Sequence, residues 1–417
     1  MACLLSLCSC SSEFEEMESN VVSKEQTSSN IYRVSESSAV NEVQNLLNSM
    51  DTQLTRADKP SRTVKSVQFI DGASASTRST NTNFEGIYVV NFENNEGFAL
   101  ASADNRTTPV FCIVDEGEFS LGEDINPGLA AFLDNLDAAI NDTTSGIYLS
   151  ACSEEADLET RSEPVYGDWQ ILTNIAPKIQ VHWNQTYPYN MYYPMVGEIG
   201  MPDYRHILTG SSVVAIGMIL SALQPQPLGP LYYNWSSIIS PQGSAEGVAS
   251  LFKEIGEALF EELEYTQETC DIDDAQDYFE DWDLEVEKES DADDHVDDAI
   301  AFLSETISHD NLIYSRADSE KKAFLGIPLQ YSGDYAWAID GCVVRQRTVT
   351  KTNIFGKPKT STETQRLLHC NMGYGGTCDG YYIDTEFNIK VSNIYADAYM
   401  DTCHNLVYRN KFLYISK

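Results

Sequence analysis

The chain has 417 residues, of which 42% are hydrophobic, so it can bury a sizeable core over two or three domains. This composition excludes an intrinsically disordered chain. The formal net charge of -38 argues against a nucleic-acid partner, because phosphate binding needs a basic face, and it favours a secreted or surface-exposed protein.

The first ten residues, MACLLSLCSC, are an apolar run that is too short for a transmembrane helix and lacks a basic start. The run resembles a truncated lipoprotein signal. In this interpretation Cys10 is lipidated and attaches the protein to a membrane. Residues 1–30 are then a leader and tether, and the protein is secreted or lies on the outer cell surface. The alternatives are a wrongly assigned start codon and plain disorder. No other segment is apolar enough to span a membrane.

Residues 31–141 have the pattern of a small α+β unit. A helix capped by Ser38 is followed by apolar runs at 87–92, 98–102 and 110–114, which predict three strands, and then by a second helix. A polar link at 142–162 separates this unit from residues 163–417. The apolar positions of the two helices are Val40, Val43, Leu46, Leu47, Met50, Phe132, Leu133, Leu136 and Ile140.

The segment LTGSSVVAIGMILSAL, at 208–223, is apolar on every side and predicts a fully buried helix, which Gln224-Pro225 ends. Ser211 lies in the first turn. A short hydroxyl or thiol at a helix N-terminus is a common place for a nucleophile, because the helix dipole lowers its pKa. Any chemistry of this chain should therefore involve Ser211.

The stretch 257–298 holds 20 acidic residues and one basic residue, Lys288, which indicates a solvated face. A calcium site is the alternative, but the stretch lacks the glycine of an EF-hand loop. Beyond it, alternating patterns at 336–344, 366–372, 381–383 and 412–416 predict an antiparallel sheet. Asp340-Gly341 is most simply a turn.

The ten cysteines include no CxxC pair and no zinc-ligand spacing with histidine, so no metal site and no cofactor is expected. Buried thiols and one or two disulfides both remain open for the cysteines outside the leader.

Several motifs occur in the order found in the streptopain family of bacterial papain-like cysteine peptidases, which the chain resembles over nearly its whole length. YVVNFENNEGFALASADNRTTPVFCIV resembles that family's propeptide, WNQTYPYN its W-x-Q-x-x-P-Y-N segment, AWAIDG its G-H-A-W-x-x-D-G strand, and NMGYGG its N-W-G-W-G-G strand. The resemblance implies an α+β fold: an inhibitor-like prodomain at 31–141 packed against a papain-like domain, with a buried helix and an antiparallel sheet, at 163–417.

The departures from the family pattern fall at the catalytic positions. Ser211 stands at the position of the nucleophilic Cys, Tyr335 at that of the general-base His, and Met372 at that of the Trp after Asn371. Gln185 matches a position that resembles an oxyanion donor. A serine hydroxyl needs a base to take its proton, and a phenol with a pKa near ~10 is a poor base at neutral pH. His309 and His369 lie in other segments, and the sequence does not place either beside Ser211.

Two classes of function are consistent with these residues. The first is an inactive peptidase homologue, a surface lipoprotein that keeps its prodomain and a cleft for peptide or protein ligands. The second is an enzyme: a cysteine endopeptidase zymogen whose nucleophile has been engineered away, or a hydrolase using unusual groups. Neither class requires a cofactor.

Overall fold

The computed structural model describes residues 32–53, 62–72, 84–120, 127–141, 145–149, 164–202, 204–227, 232–240, 245–260, 263, 269–288, 295–304, 311–319, 323–324, 327–328, 333–352, 355–383 and 411–417. The leader and Cys10, most of the 142–162 link including Arg161, and His309 lie outside the described residues. The helices are α1 (Glu36–Gln53), α2 (Pro127–Asn141), α3 (Ser211–Leu223), α4 (Trp235–Ile238), α5 (Ala245–Leu259), α6 (Ile272–Glu280) and α7 (His295–Ser304).

The strands form a mixed set of long and very short segments. They are β1 (Val64–Asp71), β2 (Gly86–Phe92), β3 (Phe98–Ser102), β4 (Val110–Val114), β5 (Val165–Tyr166), β6 (Gln170–Ile175), β7 (Met195–Val196), β8 (Arg205–His206), β9 (Glu285–Lys288), β10 (Leu312–Ser319), β11 (Ala323–Phe324), β12 (Ile327–Pro328), β13 (Gly333–Thr352), β14 (Pro358–Asn371), β15 (Gly380–Ile383) and β16 (Lys411–Ser416). Helices combined with an antiparallel sheet confirm the predicted α+β class.

Helix α1 forms where its apolar spacing predicted it, and Val43, Leu46, Leu47 and Met50 are buried. Its cap differs from the prediction. Ser35, not Ser38, begins the helix, because the Ser35 hydroxyl accepts a hydrogen bond from the Ser38 N–H at 3.2 Å. The three strands β2, β3 and β4 and helix α2 follow as predicted, whereas β1 was missed because its solvent-facing residues weaken the alternation.

The sheet runs without interruption from the N-terminal strands to the C-terminal ones. Its strand order is β1-β2-β3-β4-β15-β14-β13-β10-β16-β9, and β5 and β6 also pair with β13. The junction is the antiparallel pair β4–β15, with Ile113 opposite Tyr381. Residues 32–417 form one compact unit, and one buried apolar cluster contains side chains from both predicted segments. The chain boundary at 142–162 stays a prediction.

A second apolar cluster surrounds α3, in which every residue except Ala222 is buried. Helix α5 packs on one side of α3, with Phe252 close to Gly217, and β10 and β13 lie on the other. The apolar character of α3 on all faces therefore has a direct cause, since it is covered from both sides.

The acidic stretch contains a helix that the sequence interpretation missed. Helix α6 buries Ile272, Ala275, Tyr278 and Phe279 and turns its carboxylates to solvent. The many acidic residues dominate the sequence pattern of this stretch, so the narrow apolar stripe of α6 gives only a weak helical signal. No helix in the described part of the chain is long and apolar enough to cross a membrane.

The prediction of a turn at Asp340-Gly341 is wrong. Both residues lie inside β13, and the register between β13 and β14 shifts between Ile339 and Gly341, which is a bulge. Asp340 is fully buried there. The bulge directs this carboxylate to partners described below.

Candidate active site

Ser211 is the first residue of α3 and is buried. Gly210, which precedes it with φ 91, supplies no side chain to cap the helix. The Ser211 Oγ accepts a hydrogen bond at 3.1 Å from the N–H of Ala336 on β13. The predicted nucleophile position therefore contacts the strand that carries Tyr335, and a lone pair of its hydroxyl is used in packing α3 against that strand.

Tyr335 is buried beside Ala336, and its hydroxyl donates a hydrogen bond to the carbonyl oxygen of Met372. A phenol that donates to a neutral carbonyl keeps its proton. Tyr335 in this arrangement joins β13 to the end of β14, and a protonated phenol is a poor base at neutral pH.

Gln185 is also buried, and its carbonyl oxygen accepts a hydrogen bond at 3.2 Å from the Thr209 N–H. Thr209 is two positions before Ser211 in the chain, so this hydrogen bond holds the Gln185 backbone close to the start of α3. An oxyanion-donor role for its side chain stays a prediction.

Asn371 and Met372 lead into a loop that Asp379 holds together. The Met372 N–H donates to Asp379 Oδ1 at 2.7 Å. With its amide nitrogen facing this carboxylate, Asn371 donates to both oxygens at 3.2 and 3.3 Å. Burial raises the pKa of Asp379, although the nearby His182 acts in the opposite direction.

Two glycines let this loop lie against the start of α3 and the segment before it. Gly373 has φ 68, and a Cβ there would lie 2.9 Å from Val214 Cγ1 on α3. Gly376 has φ 90, and its Cβ would lie 2.9 Å from His182 Nδ1. Since L side chains rarely adopt such φ values, these glycines fix the approach of the loop. Ser211, Tyr335, Asn371 and Met372 thus share one region.

A second polar group, absent from the sequence predictions, lies on the sheet. We call it the His369 network: Arg62, Asp115, Asp340 and His369. His369 Nδ1 is 2.5 Å from Asp340 Oδ1, and its Nε2 is 3.3 Å from Asp115 Oδ2. Arg62 Nη2 pairs with Asp115 Oδ1 at 2.5 Å.

The charges of the His369 network support one another in a buried place. Burial alone would lower the pKa of His369, but the attraction of Asp340 and the hydrogen bond to Asp115 outweigh it and raise the pKa to about 10. Burial acts to raise the pKa of Asp115, yet His369 and Arg62 hold it well below its usual value. No local motif could have revealed this contact, because Asp115 and His369 are 254 positions apart.

The histidines whose side chains are described have partners other than Ser211. His182 Nδ1 lies 3.5 Å from Asp379 Oδ2, and this hydrogen bond raises the pKa of His182. His206 Nδ1 lies 2.7 Å from the carbonyl oxygen of Tyr193. His369 belongs to its own network. None of their described hydrogen bonds or ion pairs involves Ser211.

The described residues contain no cluster of His, Cys, Asp or Glu that could hold a metal ion. Five cysteines lie in the described segments as buried thiols: Cys112, Cys270, Cys342, Cys370 and Cys378. Burial raises the pKa of Cys378 to about 12 and that of Cys342 to about 11. These thiols are therefore protonated at neutral pH and are poor nucleophiles.

The raised pKa of His369 predicts that the protein loses stability as the pH rises into the alkaline range. Protonation of His369 stabilises the fold fully below the unfolded value of ~6.5, and this contribution is lost as pH rises toward a folded value of about 10. We expect the free energy of unfolding to fall by on the order of 1 kcal/mol per pH unit between these values. Urea titrations across this range measure the slope, and His369→Gln should flatten it. An equal slope in both proteins would contradict the assignment.

Comparison with known proteins gives one family match. Residues 32–140 match the family described as Spi protease inhibitor, which confirms the propeptide resemblance for that segment. No curated protein matches the chain. Among solved structures, the chain is similar to a fragment of Prevotella intermedia prointerpain A that carries one substitution. The two share 16% sequence identity with a TM-score of 0.49, over 84% of this chain and 98% of that chain.

Proposed function

We propose, from the match of residues 32–140 to a protease inhibitor family, that this chain is a homologue of secreted cysteine endopeptidase zymogens that no longer hydrolyses peptides. The observation that carries the proposal is the bonding of the two catalytic positions. Ser211 accepts from the Ala336 N–H, and Tyr335 donates to the Met372 carbonyl.

The chemistry of these groups argues against turnover. A papain-type site needs a thiolate held beside an imidazolium, and this chain has a hydroxyl and a phenol at the matching positions. A serine can replace the thiolate only where a base accepts its proton. Tyr335 retains its own proton in its bond to Met372, so the pair lacks a proton acceptor.

The N-terminal segment contributes to the proposal because it is built into the fold. Strand β4 pairs with β15, and the Gln365 side-chain amide donates to the Val110 carbonyl at 2.6 Å. Glu42 of α1 pairs with Arg347 of β13 at 2.7 Å. We propose that this segment, the chain's own prodomain, is a permanent part of the protein and not a removable inhibitor.

The motif segments that the chain keeps support a binding role for peptides or proteins. The loop that starts at Asn371 and the segment around Gln185 both approach the start of α3, as an extended ligand would require. Lipidation at Cys10 and attachment to the outer cell surface complete the proposal. They rest on the leader sequence and on the acidic composition.

An active zymogen of this kind would cut its own link between the two segments. An inactive site should therefore leave the link around Arg161 uncut after expression. Mass spectrometry of the purified protein should therefore give the mass of the chain with this link intact. The same measurement on Ser211→Ala is the control. Cleavage in both proteins would indicate an outside protease, whereas cleavage that Ser211→Ala abolishes would overturn the proposal.

A further inference from the structure

The segment between Gln185 and α3 carries an exposed apolar surface. More than half of the large apolar side chains exposed in the described residues lie between 187 and 204. We call residues 187–206 the hairpin surface, because the paired strands β7 and β8 lie within them. Tyr187 is 72% exposed and Ile199 is 86% exposed. The other large apolar members are Tyr192, Met195, Val196, Met201 and Tyr204.

The hairpin surface rests on a fixed base. The Asn190 side chain is buried and donates to the Ile207 carbonyl at 2.8 Å. Tyr193, also buried, donates from its hydroxyl to the Phe252 carbonyl of α5 at 2.7 Å. The Ile207 N–H donates to the Pro194 carbonyl at 3.0 Å. Exposed apolar side chains on an anchored base are a costly arrangement for a protein in water, and they commonly mark a binding surface.

The backbone of the hairpin surface indicates the shape of its ligand. Strands β7 and β8 pair only with each other in the described part of the chain. Their outer edges therefore have backbone groups that an added strand can pair with. Such pairing suits an extended segment whose alternate side chains are apolar. Methionine and tyrosine side chains adapt to varied apolar partners.

The net charge of the chain indicates which kind of polypeptide would bind the hairpin surface. The chain carries 64 acidic and 26 basic residues, for a formal net charge of -38. On the hairpin surface itself, Glu198 and Arg205 are both exposed, so the preference for a basic segment comes from the net charge of the whole chain. A second copy of this chain, or an anionic membrane, would meet long-range repulsion on approach, whereas a basic segment would be attracted.

We propose that the hairpin surface binds an extended polypeptide segment of a partner protein that alternates apolar and basic side chains. The surface begins two residues after Gln185 and ends before Ser211, so a bound segment would lie next to the candidate site. Binding here does not depend on whether the chain hydrolyses peptides.

The probe is a short fluorescent peptide in which lysine alternates with valine or phenylalanine, titrated into the full chain and followed by fluorescence anisotropy. Tyr187→Ser and Ile199→Ser should each weaken binding at least about tenfold, because each removes a large apolar side chain that the bound peptide would cover. Tyr232→Ser is the matched control, because Tyr232 is 80% exposed and lies outside the hairpin surface. It should leave binding unchanged. Circular dichroism checks that all variants fold.

A peptide with glutamate in place of lysine should bind at least tenfold more weakly than the lysine peptide. The proposal would be overturned by equal losses in Tyr187→Ser and Tyr232→Ser, by equal binding of the two peptides, or by no binding of the lysine peptide. Sedimentation of the protein alone adds a further test. A dimer that Ile199→Ser dissociates would show that a second copy covers the surface, which also contradicts the proposal.

Discussion

Replacing His369 with leucine should lower the free energy of unfolding by about 3 kcal/mol, because the change leaves the fully buried Asp340 carboxylate and the partly buried Asp115 carboxylate without their shared partner. Asp340 is fully buried, and among the described residues it keeps a hydrogen bond from the Ile179 N–H, which donates to its Oδ2 at 2.8 Å. Asp115 keeps Arg62. Urea denaturation at neutral pH, followed by intrinsic fluorescence, measures the loss.

His206→Leu is the matched control for this experiment. His206 is partly buried and makes its ring hydrogen bond to one backbone carbonyl, that of Tyr193. Losing one hydrogen bond to a backbone carbonyl costs about 1 kcal/mol. Equal destabilisation by His206→Leu and His369→Leu would contradict the idea that His369 joins the N-terminal strands to the C-terminal sheet.

The double change Ser211→Cys with Tyr335→His should create hydrolysis of a fluorogenic peptide, if the remaining cleft supports catalysis. Removing one member of a nucleophile and base pair costs on the order of 10⁴–10⁶ in rate, and such residues act as a unit. Ser211→Cys alone should therefore stay near background, because Tyr335 still offers no base. The assay follows turnover at pH 5 to 8 together with labelling by a thiol-directed inhibitor.

The two single variants are the controls for the double variant. Tyr335→His alone supplies an imidazole but leaves a hydroxyl at 211, so it should also stay near background. Turnover by Ser211→Cys alone would mean that another group serves as the base. Absence of turnover in a folded double variant would mean that the cleft has lost more than these two residues.

The sequence predicted most of the fold because its apolar periods are strong. The run 208–223 is apolar on every face, which predicts a helix covered on all sides, and α3 is buried in this way. Helix α6 escaped prediction because carboxylates surround its apolar stripe. Strand β1 escaped because half of its residues are exposed and one is buried. Periodicity reports burial, so elements with one narrow buried edge give little signal.

The contacts of the candidate site could be predicted only in part. The family resemblance assigned Ser211, Tyr335 and Met372 to catalytic positions but did not establish that they lie together, and the structure links them through backbone groups. Asp340 was misinterpreted, since an Asp-Gly pair is common in turns and a buried bulge leaves no local pattern. The pairing of Asp115 with His369 depends on β4 joining β15, which is a long-range contact that no spacing encodes.

The most direct test of whether the protein is inactive is turnover of a fluorogenic peptide by the unmodified protein, compared with Ser211→Ala, at pH 5 to 8. We expect no turnover above background in either protein, because Ser211 is bonded to the Ala336 N–H and no described histidine is paired with it. Hydrolysis by the unmodified protein that disappears in Ser211→Ala would contradict the account and show that the protein is an enzyme.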